Sequence, residues 1–414
     1  MATGIGHANT KWDEARLPQI YFLGGYHPSN ESFIRSPPEN VKIRSRVPVE
    51  EFDNFGKLKQ YSGTWPLIKR FTDSTYRALR IPRVLPVLGK HDLIHTNGSV
   101  IPLSRKPWVA SMENPSAFYG FREYWHQKKS IKKILAEFLL SDRCRAVLPY
   151  SNASKGYLLA CLDEWRDEIE KKTEVLNLAI DSYLIRKDDK PTATNDRPVR
   201  FLFVGTHFFD KGGREVVRAF RQVRECGPCE LTVVTAAPPH QRREFENFLP
   251  ILMKEKNVSY HPTGIPRRKL LELYRTSDVF VFPSYMDQVP FVLIEAMASG
   301  LPLIGSNSYA VPEMVMEGEN GFVVESPWVA FPADRPRTEG RIKAYREAVL
   351  DEHNFDGVVE QLVNSMTRLV RDSRLRDRLG RNSLRLVREG KFSVAVRNRQ
   401  LSSVYERAIG KSTR

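Results

Sequence analysis

Residues 276–324 of the chain read TSDVFVFPSYMDQVPFVLIEAMASGLPLIGSNSYAVPEMVMEGENGFVV. The apolar run 279–282 ends at a Pro-Ser pair, which is typical of a strand buried on both faces of a sheet. Residues 291–299 predict a helix that ends at Gly300, and residues 301–305 predict the next buried strand. A strand, a loop, a helix and a strand in this order form one unit of a parallel sheet. Such sheets bind ligands beyond the carboxyl ends of their strands.

Two acidic residues bracket that edge of the predicted sheet. Asp287 lies in the predicted loop, and Glu295 lies in the first turns of the predicted helix, where the helix dipole tolerates a carboxylate. Seven residues separate the two acids. Acidic pairs in such positions are most often solvated helix caps, so the pair alone does not identify a site.

The residues around this pair resemble a known family. The segments that carry the resemblance are EAMASGLPLI at 295–304, the Pro312-Glu313 pair and EGENGFVV at 317–324, together with the two acids. They are similar to the donor domain of the family-four retaining glycosyltransferases, whose pattern is Glu, seven residues, Glu. The resemblance is strong over 198–325 and faint elsewhere. It implies an α/β protein of GT-B architecture, with two facing Rossmann-like domains and a C-terminal helix that crosses back to the first.

Length and composition agree with a protein of at least two domains. The chain has 414 residues, of which 41% are hydrophobic and 10% aromatic, which is enough for two cores. The first residues are polar, and no apolar run approaches the roughly 20 residues that a membrane span needs. We therefore expect a cytoplasmic protein.

The net charge of +15 calls for an anionic partner. Nucleic acid and an anionic membrane surface are the two general candidates. Neither a zinc finger nor an RNA-recognition signature occurs in the sequence, so nucleic acid is the less favoured of the two.

The four cysteines do not predict a disulfide framework in a chain of this length. Cys226-Gly-Pro-Cys229 has the spelling of a thioredoxin motif, but it follows a predicted helix and precedes a predicted strand. The redox motif has the opposite context, and a zinc site would need two further ligands. A plain turn between helix and strand is the favoured interpretation. The other two cysteines are Cys144 and Cys161.

The polar, proline-bearing segment 186–198 is the predicted domain boundary. It separates an acceptor-side domain over 1–185 from a donor domain over 199–390, and residues 391–414 form the predicted crossover helix. Further predictions along the chain are an irregular region at 30–65, a helix at 71–79, a last first-domain strand at 175–181 and, at 327–354, a charged segment longer than is usual in the family.

Two positions of the first domain are candidates for contact with the donor. A predicted opening strand ends at Gly24 and Gly25, where glycines let backbone amides approach a phosphate, although an ordinary turn explains them equally well. The resemblance places Glu113 where many family members have a histidine that touches the donor sugar. His95, at the end of the neighbouring predicted strand, could compensate, but a lone histidine is more often structural.

The second domain opens with a predicted strand, 200–205, that ends at Gly205. Lys211 follows in the loop, just before a predicted helix, and a lysine beside a helix N-terminus is a phosphate-binding arrangement. The family usually has Gly-Arg, four residues, Lys-Gly at this point, whereas this chain has Thr206 at the arginine position. A threonine can hydrogen-bond a phosphate but cannot neutralise it. Either another cation replaces the arginine, Arg214 or one from elsewhere, or donor binding is weakened.

The resemblance implies retaining transfer of a hexosyl-type unit from a UDP- or GDP-type nucleotide sugar, with no metal and no further cofactor. Lys211 and the amides near Gly205 would stabilise the leaving diphosphate. Glu295 would accept hydrogen bonds from the ribose hydroxyls, and Asp287 would orient the sugar. The predicted donor-binding set is completed by Val289, Pro290 and Phe291.

The acceptor implied by the resemblance is a glycan, which in some relatives is lipid-linked. The predicted helix at 124–140 carries Lys128, Lys129, Lys132 and Lys133 in its first half. Either its apolar face lies in the core and its lysines lie in water, or the helix contacts anionic lipid at the inner membrane face. A catalytically impaired nucleotide-sugar or glycan-binding protein is the alternative function, supported by the departures at Thr206, Asp287 and Glu113.

Overall fold

The computed structural model describes residues 17–24, 28–45, 81–98, 100–120, 128–185, 197–327 and 338–410. Three predictions lie wholly or largely outside these residues: Gly25, the helix at 71–79 and most of the boundary segment 186–198. Within them, two parallel sheets each form the centre of an α/β layer structure.

The first sheet has the strand order β2-β1-β4-β6-β7, and all its strands are parallel. A small parallel sheet, β3-β5, lies beside it. These strands are β1 (Gln19–Leu23), β2 (Lys42–Ser45), β3 (Val84–Pro86), β4 (Leu93–Asn97), β5 (Ile101–Leu103), β6 (Trp108–Met112) and β7 (Cys144–Pro149).

The second sheet has the order β10-β9-β8-β11-β12-β13, again parallel throughout. Strand order reverses between β8 and β11, and parallel sheets have their ligand-binding crevice at such a point, outside the carboxyl ends of the strands. Apolar runs bury these strands, and the predicted strand Val279–Phe282 is confirmed without a shift. The strands are β8 (Val199–Thr206), β9 (Cys229–Ala236), β10 (Val258–Pro262), β11 (Val279–Phe282), β12 (Leu303–Ser306) and β13 (Gly321–Val324).

Helices connect the strands and cover both sheets. In chain order they are α1 (Pro28–Arg35), α2 (Lys129–Leu140), α3 (Asn152–Cys161), α4 (Arg166–Glu170), α5 (Gly213–Val223), α6 (Arg242–Lys254), α7 (Arg267–Thr276), α8 (Phe291–Ala298), α9 (Val311–Met314), α10 (Glu339–Ala348), α11 (Asp356–Arg371), α12 (Ser373–Arg388) and α13 (Val394–Ile409). Gly300 has φ +72°, the left-handed conformation that ends α8 where the sequence predicts.

The last helix, α13, packs on the first sheet. Arg397 is buried in this contact, and its guanidinium donates to Ser32 Oγ at 2.6 Å and to the carbonyl of Ser36 at 2.6 Å. Tyr405 lies against the same sheet, with its hydroxyl 2.6 Å from Nδ1 of His95. The crossover of the chain back to its first half, which the predicted architecture requires, is therefore present.

Two predictions about the first half are wrong. Residues 30–45 are not irregular, because they contain most of α1 and all of β2, while 46–65 lie outside the described residues. The short helix α1 gives little periodic signal and depends on the buried Arg397 for carbonyl partners. Residues 175–181 do not form a strand either. They run extended beside β7, with Leu176 donating to the carbonyl of Pro149 at 2.9 Å.

Helix α2 has its apolar face in the core, where Ile131, Leu135 and Leu139 are buried. Its lysines meet carboxylates: Lys132 lies 2.6 Å from Asp163, and Lys129 pairs with Glu164. These contacts favour the core-packed interpretation, and residues 124–127 lie outside the described part. None of the described helices combines the length and apolarity that crossing a membrane would need.

The Cys226-Gly-Pro-Cys229 segment joins the end of α5 to the start of β9, as the sequence predicts for a turn. All four cysteines are free thiols. The described part of the charged segment 327–354 contains α10. This helix lies against the loop after β8 through the hydrogen bond from Tyr345 to Asp210.

Candidate functional site

The loops that follow β8 and β11 meet at the point where the strand order reverses. Gly212 has φ +73°, and a Cβ added to it would lie 2.7 Å from the carbonyl oxygen of Pro283. Only glycine permits this approach of the two backbones. At Gly205 an added Cβ would lie 3.1 Å from Lys211 Cγ, so the lysine side chain runs along the strand end.

This contact brings two predicted site residues together. Lys211 Nζ lies 2.6 Å from Asp287 Oδ2 and donates to the carbonyl of Met286 at 2.7 Å. Both side chains are only partly exposed, at 12% and 19%. A lysine held over a helix N-terminus, with backbone amides beside it, is an arrangement suited to phosphate groups.

Glu295 lies deeper, on α8, and is 4% exposed. It forms an ion pair with Arg267, the first residue of α7, and Nη2 of Arg267 is buried with no hydrogen-bond partner among the described residues. The side-chain amide of Gln288, beside Asp287, is also buried and unpartnered in this part of the chain. Unsatisfied buried donors are costly and typical of sites that await a ligand.

Arg267 and Gln288 were not predicted. Gln288 lies next to a predicted residue, but nothing in its type indicates a buried amide. Arg267 is separated from Glu295 by a whole strand, a loop and a helix, so no local pattern could pair them.

Arg214 is not the missing cation. Its guanidinium donates to the carbonyls of Val349 at 3.1 Å, Leu350 at 2.8 Å and Asp351 at 3.1 Å, and to the carboxylate of Glu215. These bonds hold the end of α10 and turn the side chain away from the crevice. The expectation that Arg214 could replace an arginine at Thr206 is therefore wrong.

The loop after β8 contains a histidine and an aspartate that the sequence did not indicate. His207 has φ +70°, which is unusual for a residue with a side chain, and its Nδ1 lies 3.3 Å from Asp210 Oδ2. The other carboxylate oxygen accepts hydrogen bonds from Gln241 at 3.1 Å and Tyr345 at 3.0 Å. Burial opposes ionisation of Asp210, but these contacts and the Lys211 charge hold its pKa below the ordinary value.

The first-domain candidates have different surroundings. Gly24 follows β1, where an added Cβ would lie 2.4 Å from the Phe22 ring, so close packing within the domain accounts for this glycine. Glu113 directly follows β6, at the carboxyl edge of the first sheet.

His95 has a structural role. It lies in the middle of β4 rather than at its end, and its Nε2 lies 2.9 Å from Ser111 Oγ while Nδ1 meets Tyr405. Burial, with the Arg397 charge, lowers the pKa of His95 to about 3. The suggestion that His95 could compensate at the donor sugar is therefore wrong.

The remaining predicted residues lie around the crevice. Thr206 is exposed at the end of β8. Pro290 caps α8, of which Phe291 is the first residue, and Val289 is buried in the loop before it.

Two parallel sheets in α/β layers, with a last helix that packs back on the first sheet, are characteristic of the GT-B architecture. The family model described as "Glycosyl transferases group 1" matches residues 185–332. The matched segment is about a third of the 414 residues, and this part of the chain is similar to the glycosyl transferases group 1 family.

Known structures and curated relatives agree with that family. The HepE protein of Anabaena, solved with UDP-glucose, superposes with a TM-score of 0.59 at 15% identity, over 94% of this chain and 100% of that one. An uncharacterized glycosyltransferase of Methanocaldococcus jannaschii is 21% identical over 81% of this chain and 90% of its own length. The capsular polysaccharide biosynthesis glycosyltransferase CapM of Staphylococcus aureus is 26% identical over 51% of this chain, which spans only 46% of that relative.

Proposed function

We propose that this protein transfers a sugar from a nucleotide-diphosphate sugar to a glycan acceptor, with retention of the anomeric configuration and without a metal ion. The observation that carries the proposal is the Lys211–Asp287 contact at the strand reversal, with Glu295 buried behind it. A cation, an exposed edge of amides and two carboxylates are together the groups that a diphosphate, a sugar and a ribose require.

In this proposal each group has one task. Lys211 and the N-terminus of α5 stabilise the negative charge that develops on the leaving diphosphate. Asp287, already held by Lys211, accepts hydrogen bonds from the sugar hydroxyls, and Glu295 accepts those of the ribose. The buried amide of Gln288 gains a partner when the sugar binds. Closure of the two domains excludes water, which competes as acceptor.

The donor is proposed to be of the UDP type, with GDP as the second choice, because HepE was solved with UDP and UDP-glucose. A glycan acceptor is supported by the likeness to CapM, which is named for capsular polysaccharide biosynthesis, and a lipid-linked form of that glycan belongs to the same proposal. A cytoplasmic location, with contact at an anionic membrane face, belongs to the same proposal and is supported only by the net charge of +15.

Nucleotide binding is the first test. A thermal-shift screen followed by calorimetry should find that UDP or GDP stabilises the wild type and that Glu295→Ala removes most of the shift. Glu360→Gln, at an exposed position on α11, is the matched control and should bind like the wild type. A wild type that binds no nucleotide would contradict the donor site.

Turnover is the second test, and it separates the enzyme from an impaired binding protein. With the donor that binds, the wild type should release free nucleotide slowly in water and faster with an acceptor, and EDTA should leave the rate unchanged. Binding without release would favour the impaired protein that Thr206, Asp287 and Glu113 suggest. Proton NMR of the product reports the anomeric configuration, and an inverted product would contradict retention.

A further inference from the structure

The family resemblance implies an arginine beside Lys211. Neither Thr206 nor Arg214 supplies that positive charge in this chain. We propose that His207 supplies this second cationic contact to the phosphates of a nucleoside diphosphate. The inference rests on the proposed function, since it names a further residue of the same donor site.

The backbone at His207 points to a functional position. Its φ of +70° lies in the left-handed region, which only a few per cent of residues other than glycine adopt, with Asn, Asp and His the most tolerant. Its amide donates to the carbonyl of Ala236 at 2.9 Å, which fixes the bend directly after β8. Strained conformations of this kind persist where the surrounding structure imposes them, often at ligand sites. The bend leaves the imidazole 42% exposed at the carboxyl edge of the sheet.

The carboxylate of Asp210 orients the ring. Nδ1 faces the buried Oδ2 of Asp210, so Nε2 is the ring nitrogen that remains for a ligand. A carboxylate on one side and a phosphate on the other both stabilise an imidazolium in the complex. The ring would then donate Nε2–H to a phosphate oxygen and add a positive charge beside that of Lys211.

Three other elements brace this aspartate. Gln241, in the turn after β9, and Tyr345, on α10, both donate to Oδ1 of Asp210. The amide of Tyr285, in the loop after β11, donates to its backbone carbonyl at 2.9 Å. The imidazole is therefore held by a rigid second layer rather than by a mobile loop.

The charged and titratable groups near the imidazole come from three elements. Asp210 and Lys211 lie on its own loop, and His240 lies on the turn after β9 with its ring centroid 6.4 Å away. Tyr345 reaches the same cluster through Asp210. The contribution of His207 therefore has to be separated from theirs by substitution of His207 itself.

Calorimetry with UDP and with uridine tests the inference, using GDP and guanosine if the wild type prefers guanine. His207→Asn tolerates the left-handed backbone and keeps a donor for Asp210, but it has no positive charge. We expect it to weaken UDP binding about tenfold, the effect of losing one charge-assisted hydrogen bond, and to leave uridine binding unchanged. His207→Arg should restore most of the UDP affinity.

A matched control exists elsewhere in the chain. His353 and Asp356 form the same kind of pair, three residues apart, with Nδ1 3.5 Å from Oδ2, at an exposed site. His353→Asn should change neither affinity. His207→Gly adds a second check, because it relieves the backbone strain: we expect a higher melting temperature together with weakened UDP binding.

Three results would overturn the inference. Equal loss of UDP and uridine affinity in His207→Asn would mean that the residue contacts the nucleoside or only shapes the loop. Unchanged UDP affinity in that variant, with a wild type that binds, would remove His207 from the site while leaving the proposed function intact. A wild type that binds no nucleotide would overturn the proposed function and this inference together.

Discussion

The two sheets of this protein both carry polar residues in or just beyond the carboxyl halves of their strands, but these residues have different partners. In the first sheet the polar groups satisfy one another: His95 meets Ser111, Ser111 meets Tyr150 at 2.9 Å, and Tyr150 donates to Asn97 at 2.8 Å. Tyr405 of the last helix completes this chain of hydrogen bonds. The first edge is therefore an internal support for the crossover helix.

At the corresponding edge of the second sheet, some buried polar atoms have no hydrogen-bond partner among the described residues. Lys211 and Asp287 pair with each other at the mouth of the crevice, whereas Arg267 and Gln288 have buried polar atoms without partners in the described structure. The polar residues of the two parallel sheets thus have different roles. A hydrogen-bond network in which every group has a partner stabilises the fold. A network with unpartnered groups can form further hydrogen bonds to a ligand.

The largest expected difference between the two edges is in activity. Lys211→Ala should lower the rate of sugar transfer by about 10²–10³-fold, because one preorganised cation at the leaving group is lost. Its stability should stay near that of the wild type, as measured by chemical denaturation. Lys254→Ala, at an exposed position at the end of α6, is the control. Transfer at the wild-type rate in Lys211→Ala would remove the lysine from the mechanism.

For the first sheet, the largest expected effect of a substitution is on the free energy of unfolding. Arg397→Met removes three hydrogen bonds to Ser32 and Ser36 and should lower the free energy of unfolding by about 3 kcal/mol. Arg399→Met, on the exposed side of the same helix, should change it by less than about 0.5 kcal/mol. Denaturant titration measures both. Equal small effects would show that the crossover helix is not held by its buried arginine.

His95 should make the first domain sensitive to acid. Its pKa is lowered from 6.5 to about 3, so between these values the unfolded chain binds a proton that the folded protein does not. The stabilisation is fully present above pH 6.5 and is lost as the pH falls towards 3, at about 1.4 kcal/mol per pH unit. Wild type should therefore lose about 2 kcal/mol more than His95→Gln between pH 6.5 and pH 5. Identical pH profiles would contradict this assignment.

The smallest expected effect concerns the contact between the two halves. Glu313, on α9, accepts hydrogen bonds at the N-terminus of α3 from the amides of Asn152 at 2.9 Å and Ala153 at 2.8 Å. Glu313→Gln keeps an acceptor but loses the charge that the helix dipole favours, which should cost about 0.5 kcal/mol. Small-angle scattering should show a slightly more open average shape. An unchanged profile, with unchanged stability, would make this contact incidental.

The sequence alone was sufficient for the architecture and for the core of the candidate site. Apolar runs bounded by turn residues located the central strands of the second sheet, at 200–205, 279–282 and 301–305, because burial on both faces leaves a local signal. Residues close in sequence to those strand ends, such as Gly205, Lys211 and Asp287, were predicted together, since parallel strands end at one edge. The segments around Asp287 and Glu295, together with the two acids, carried the family resemblance.

Only the tertiary structure decided which side chains oppose one another. It paired Glu295 with Arg267 and bonded Arg214 to carbonyls at the end of α10. It also brought Asp210 into contact with His207 and Tyr345. It also made α1 a helix, since the carbonyl partners of that segment come from Arg397, more than 350 residues away in sequence. These contacts join distant segments with no shared periodicity. Their geometry is set by how helices pack on the sheets, which no local pattern of residues encodes.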